Sequence, residues 1–170
     1  MRARQPFLSE LFKPRLDHGG SLRPGRRKLA RPIDPKRPIH LVLKSDQAQG
    51  ALSLFSRERQ IRALLNLFAS RFEVRIYQLA IVSNHLHILV KASTREGFQN
   101  FLRGVAGGIA QLVTGARKGQ SFGRFWSATA YSRVLEWGRA FQNAKWYVIQ
   151  NELEACGVAS YRPRTVKPPG

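Results

Sequence analysis

His85-Leu86-His87, inside the run Ile81-Val82-Ser83-Asn84-His85-Leu86-His87-Ile88-Leu89-Val90, is the segment whose residue types and spacing most directly permit chemistry. The run is apolar on both sides and too short for a comfortable helix, so it reads as a strand. Side chains two apart on a strand share a face. Leu86, Ile88 and Val90 then point one way and the two imidazoles the other. Two adjacent imidazoles on a rigid strand can hold a divalent metal, but two cannot fill a coordination sphere. Carboxylates are scarce, with only 10 Asp and Glu in 170 residues, and none lies beside the pair. The last helical stretch offers another donor: in Trp146-Tyr147-Val148-Ile149-Gln150-Asn151, Tyr147 and Asn151 share a helix face. Ala140 and Ala144 lie on the same stripe and are small enough to let that helix approach a sheet. Each motif alone is usually structural, tyrosine in particular serving well at a core edge. Their joint presence on a strand and a terminal helix is what suggests a site.

These residues need elements to position them. Order begins at Pro38, and Ile39-His40-Leu41-Val42-Leu43 reads as a first strand. Residues 53–70 carry Leu54, Ile61, Leu65 and Phe68 at helical spacing. Residues 72–82 are β-branched and aromatic, and Ser83-Asn84 turns them into the histidine strand as a hairpin. Ser93-Thr94-Arg95-Glu96 matches a capping box and opens a helix with Phe98, Phe101, Leu102, Val105, Ile109 and Leu112 on one face. Gly115–Gly123 is a basic loop, Phe125–Leu135 a fourth strand, and a last helix runs from Arg139 to Glu154, ending near Gly157. The order βαββαβ plus a helix predicts an α+β fold, the ferredoxin-like split βαβ antiparallel sheet with two helices on one face. The histidine strand is then central, and its imidazoles face the side those two helices leave open.

Composition points to the partner. The chain has 29 Lys and Arg against 10 Asp and Glu, a formal charge of +19, which favours a polyanion. Residues 1–37 hold eleven of those cations and read as a flexible basic arm, with 38–157 as the folded domain and 158–170 as a tail. No stretch is apolar and long enough to span a bilayer, and no signal-peptide pattern opens the chain. A cytoplasmic protein facing nucleic acid, with no membrane partner, is the expectation. Cys156 is the single cysteine, which excludes an internal disulfide or a cysteine-based zinc cluster.

With these residues in view, the chain resembles the HUH endonucleases. More narrowly, it resembles the single-tyrosine transposases and, among them, the REP-associated tyrosine transposases. The likeness extends over most of residues 19–152. Gly19-Gly20-Ser21-Leu22-Arg23 and Arg27-Lys28-Leu29-Ala30-Arg31-Pro32 resemble the family's basic leader, and Pro38 to Lys44 its first strand. Ser83 to Val90 resembles its HUH strand, and Arg133-Val134-Leu135 and Tyr147 to Asn151 its final strand and catalytic helix. The resemblance implies a Mg²⁺ or Mn²⁺ ion held by His85, His87 and Asn151. It also implies that Tyr147 is the nucleophile of a metal-dependent, transposase-like single-stranded DNA endonuclease and strand transferase, forming a 5′-phosphotyrosine intermediate on hairpin DNA. Tyr77, Tyr131 and Tyr161 are the rival tyrosines. Arg26, Arg27, Lys28, His40, Arg124 and Arg133 are the candidate contacts to single-stranded or hairpin DNA. Where relatives carry an Arg-Tyr-His cluster this chain has Thr129-Ala130-Tyr131, and Gly138 replaces a proline before the last helix. A monomer and a homodimer both fit. The alternative is a non-catalytic nucleic-acid binder on the same sheet, a domesticated or decayed transposase; against it, the open face presents histidines where stacking aromatics would serve an RNA-binding sheet.

Overall fold

The computed structural model of the chain describes residues 16–20 and 30–160. Its elements are β1 (Asp17–His18), β2 (Ile39–Lys44), α1 (Glu58–Arg71), β3 (Val74–Ile81), β4 (His85–Ala92), α2 (Arg95–Thr114), β5 (Tyr131–Val134) and α3 (Arg139–Ala155). The sheet runs in the order β1-β5-β2-β4-β3 and every pairing is antiparallel. Without β1, this is the βαββαβ order and strand arrangement expected, with β2 and β4 as central neighbours.

Alternation decides the faces. In β2, Ile39, Leu41 and Leu43 enter the main core; in β4, Leu86, Ile88 and Val90 join them. Ile61 and Leu65 of α1 and Phe98, Phe101, Val105, Ile109 and Val113 of α2 close that core from one side. The two helices approach closely where α2 has no side chain: a Cβ on Gly108 would lie 2.8 Å from Leu64 Cδ1, and one on Gly104 3.0 Å from the Phe68 ring. The opposite face of the sheet carries a smaller cluster, Leu89, Leu135 and Phe141 flanked by Tyr77 and Ala144, which seats α3.

Several boundaries differ from the periodicity. Helix α1 begins at Glu58 rather than 53, after two 3-10 turns, Gly50–Leu52 and Phe55–Arg57. Leu54 is buried there, and its amide donates to the Ser83 carbonyl at 2.8 Å, tying the segment to the β3–β4 turn. Helix α2 is capped by Thr94, whose hydroxyl accepts from the Gly97 amide at 2.9 Å. Ser93, the expected cap, instead donates to the Glu73 carbonyl at 3.2 Å.

Strand β5 is much shorter than Phe125–Leu135. Arg124 donates to the carbonyls of Trp126 and Ser127 at 3.0 and 2.8 Å, and Trp126 Nε1 donates to the Ala106 carbonyl of α2 at 2.9 Å. Residues 124–130 therefore wrap over α2, and their aromatics plug a core rather than alternate across a sheet.

Part of the basic arm belongs to the sheet. Asp17 and His18 pair with Arg133 and Ser132. Arg31 donates to Ser132 Oγ at 2.5 Å and to the Ala130 carbonyl at 2.9 Å. Gly19 permits this closure: its φ is +82°, and a Cβ there would lie 2.1 Å from the Ala130 oxygen.

Candidate active site

The two histidines take their places from strand register. Antiparallel pairing of β2 and β4 sets Lys44 opposite His85, Val42 opposite His87 and His40 opposite Leu89. The pleat turns His85, His87 and Leu89 away from the main core, and His40 lies diagonally across from His87. The rings converge: His85 and His87 have centroids 4.9 Å apart, nearly perpendicular, and His40 and His87 5.3 Å apart at 21°. His40 Nε2 and His87 Nδ1 are 3.2 Å apart. His85 Nδ1 lies 2.7 Å from Asn84 Oδ1, so that nitrogen carries the proton and the amide oxygen accepts it. His87 is only 5% exposed.

Helix α3 supplies the other half. Phe141, 8% exposed, sits against Leu89 and Leu135 and meets Tyr77 and Trp137 edgewise or tilted at 5.3 and 4.9 Å. Ala144 allows the helix to lie close, and Val148 is fully buried. Further along, Glu152 accepts from Arg62 of α1 at 2.6 Å and from Gln78 of β3 at 3.0 Å. So seated, α3 brings the Tyr147 ring to 5.3 Å from His87 and 5.9 Å from His40, while leaving the tyrosine 37% exposed. Asn151, one turn on, is buried and donates from Nδ2 to the Tyr147 carbonyl at 2.7 Å.

This geometry can be tested against a divalent cation. With Nδ1 of His85 bound to Asn84, Nε2 is the nitrogen that would ligate; with the Asn151 nitrogen bound to backbone, Oδ1 is its ligating atom. Two imidazoles and an amide oxygen form a neutral donor set suited to a hard or borderline cation. Among the described residues no group of three or more His, Cys, Asp or Glu side chains could hold a metal; the expected set of His85, His87 and Asn151 takes its third donor from the amide instead.

The remaining predicted residues divide. Burial, reinforced by the charge of Arg133, pushes the His40 imidazole down to about 4. It is neutral at pH 7 and belongs to the histidine cluster rather than to a cationic surface. Arg133 is exposed on β5 directly opposite His40. Arg124 is exposed, with its guanidinium turned onto its own loop. Arg26, Arg27, Lys28 and Tyr161 lie outside the described residues. Tyr77 packs against Trp137 and Phe141. Tyr131 pairs with Val42 and so stands on the histidine face, one strand removed from His87, with its phenol pushed up first by burial. Sequence reading missed Glu152 as the anchor of α3; a pair of acids, Glu152 and Glu154, at the end of a helix of so basic a chain was the available signal. It also missed the bond from His85 Nδ1 to the Asn84 amide oxygen.

No protein-family model matches the sequence, and no curated protein matches it. Among solved structures the chain is similar to a REP-associated tyrosine transposase bound to a REP hairpin, with a TM-score of 0.56 at 7% identity over 76% of this chain and 74% of that one. A "putative transposase" from Deinococcus radiodurans R1 aligns with a TM-score of 0.43 at 15% identity, over 77% of this chain and 98% of that one. No helix among the described residues is long and apolar enough to cross a membrane. At the level of the fold, the chain is built like a REP-associated tyrosine transposase.

Proposed function

We propose that this protein is a metal-dependent, transposase-like endonuclease and strand transferase acting on single-stranded or hairpin DNA, with Tyr147 as nucleophile. The observation that carries the reading is the seating of Tyr147 against the histidine cluster, its ring 5.3 Å from His87, with Asn151 one turn away. The charge of +19 suits a polyanionic substrate. The fold neighbour was captured on a REP hairpin, which makes hairpin DNA the first substrate to test.

His85, His87 and Asn151 would hold Mg²⁺ or Mn²⁺, which supplies Lewis acidity at a non-bridging phosphate oxygen and offsets charge on the departing 3′-oxygen. Tyr147 Oη attacks phosphorus in line. The new bond joins Oη to phosphorus, the bond from phosphorus to the 3′-oxygen breaks, the phenolic proton leaves to solvent, and the departing oxygen takes up a proton. The products are a 5′-phosphotyrosine and a free 3′-hydroxyl. Because the ester retains the bond just exchanged, attack by another 3′-hydroxyl reverses the step and joins strands without a nucleotide cofactor. Tyr147 is 37% exposed, which leaves its side chain within reach of DNA, and the buried His87 and Asn151 keep the donor set from drifting.

The test is a covalent adduct on a 3′-labelled hairpin oligonucleotide in Mg²⁺ or Mn²⁺, mapped by mass spectrometry. Adduct at Tyr147, absent in Tyr147→Phe and retained in Tyr131→Phe, is the expected result. Binding of the same oligonucleotide with no cleavage would establish the non-catalytic binder instead.

A further inference from the structure

His40 stands at the centre of the ring cluster without a task in the reaction as derived. We propose that His40 is a positioning residue: its Nε2 accepts a hydrogen bond from Nδ1–H of His87 and thereby selects the tautomer in which His87 can ligate a divalent cation through Nε2. This rests on the reading that His85 and His87 are metal ligands.

Three observations support it. The first is register. His40 faces Leu89 across the β2–β4 ladder, so His87 is its diagonal neighbour, a spacing of about 7–8 Å that long or aromatic side chains bridge. The second is ring geometry. A 21° interplanar angle and 5.3 Å between centroids, with Nε2 and Nδ1 3.2 Å apart, describe two rings meeting nitrogen to nitrogen in nearly one plane. A face-to-face stack would bring the centroids closer and leave no nitrogen contact.

The third is the contrast between the two ligand candidates. The Nδ1 of His85 meets an amide oxygen, which can only accept, so its tautomer is settled by Asn84. The Nδ1 of His87 meets another ring nitrogen, which either accepts or donates. If His40 donates, the proton of His87 sits on Nε2 and that nitrogen cannot ligate. If His40 accepts, Nε2 of His87 offers its lone pair. The third imidazole is thus the switch on whether the second can serve, in the way outer partners of metal-bound histidines fix ring and tautomer.

Long-range ¹H–¹⁵N spectra of the metal-free full-length protein, with ¹⁵N-labelled histidine, read the tautomer directly. The expected result is His87 protonated on Nδ1 and bare on Nε2 in the wild type, and the reverse in His40→Leu. His40→Gln, whose amide oxygen can reach the position of Nε2, should restore the wild-type pattern. Mn²⁺ titrated without DNA should bind roughly 10–100-fold more weakly to His40→Leu and near normally to His40→Gln. A wild-type His87 protonated on Nε2 overturns the proposal, and that measurement needs no folded variant. Unchanged Mn²⁺ affinity in His40→Leu, while His87→Ala loses binding, also overturns it and leaves the metal-site reading standing. If His85→Ala and His87→Ala bind Mn²⁺ like the wild type, both fall together.

Discussion

Truncation of Phe141 should release the helix that carries Tyr147 without dissolving the sheet beneath it. Phe141 anchors a cluster separate from the main core: it packs on Leu89 and Leu135, flanked by Tyr77 and Ala144, whereas α1 and α2 pack on the other face. Cutting a buried phenylalanine back to alanine costs about 3–5 kcal/mol. The lower end applies here, because the cluster is small and Trp137 beside it is 46% exposed. About 3 kcal/mol corresponds to a rise of roughly 100-fold in the opening equilibrium of α3, at about 1.4 kcal/mol per decade. Native-state amide exchange of Phe141→Ala checks this residue by residue. Amides in the second half of α3 should lose about two decades of protection relative to wild type, while those of β2 and β4 change much less. Adduct formation at Tyr147 should fall, since the nucleophile leaves the histidines whenever the helix opens. Equal loss of protection in α3 and in the central strands would refute the separation of the two clusters. Unchanged exchange in α3 would refute Phe141 as its seat, and leave the ion pair of Glu152 with Arg62 and its hydrogen bond from Gln78 as the dominant anchor.

Two further predictions follow from local features. His40 titrates near 4 in the fold against about 6.5 in an unfolded chain, so between those values the unfolded state binds more protons. Its contribution to stability is complete above pH 6.5 and is lost as pH falls towards 4, at most about 3 kcal/mol; chemical denaturation at pH 7 and pH 4.5 should show a smaller loss in His40→Gln, and equal losses would refute the assignment. Gly19→Ala should detach β1, because φ there is +82° and the added Cβ would lie 2.1 Å from the Ala130 oxygen. The amide of Val134, which donates to the Leu16 carbonyl at 2.8 Å, should lose exchange protection while global unfolding moves by no more than about 1 kcal/mol, the cost of losing one or two edge hydrogen bonds.

Much of this protein is written in local pattern. Alternation in β2 and β4 and the 3.6-residue stripes of α2 and α3 depend only on neighbours in sequence, so the four-stranded antiparallel arrangement, the central place of β4 and the outward turn of His85 and His87 were readable from the chain. So was the pairing of Tyr147 with Asn151 on one helical face. Tertiary structure decided what those patterns leave open. Burial of Leu54 under the β3–β4 turn delayed the start of α1. The bonds of Arg124 to nearby carbonyls and of Trp126 to Ala106 drew an aromatic segment out of β5. Asp17 and His18 joined the sheet because β5 offered a free edge and Gly19 allowed the turn. The cluster around His87 shows the division most clearly: period two places an imidazole on a face, but only pairing across strands brings His40 within 3.2 Å of it. A side chain's tautomer is set by the atom it meets, and that atom belongs to another strand.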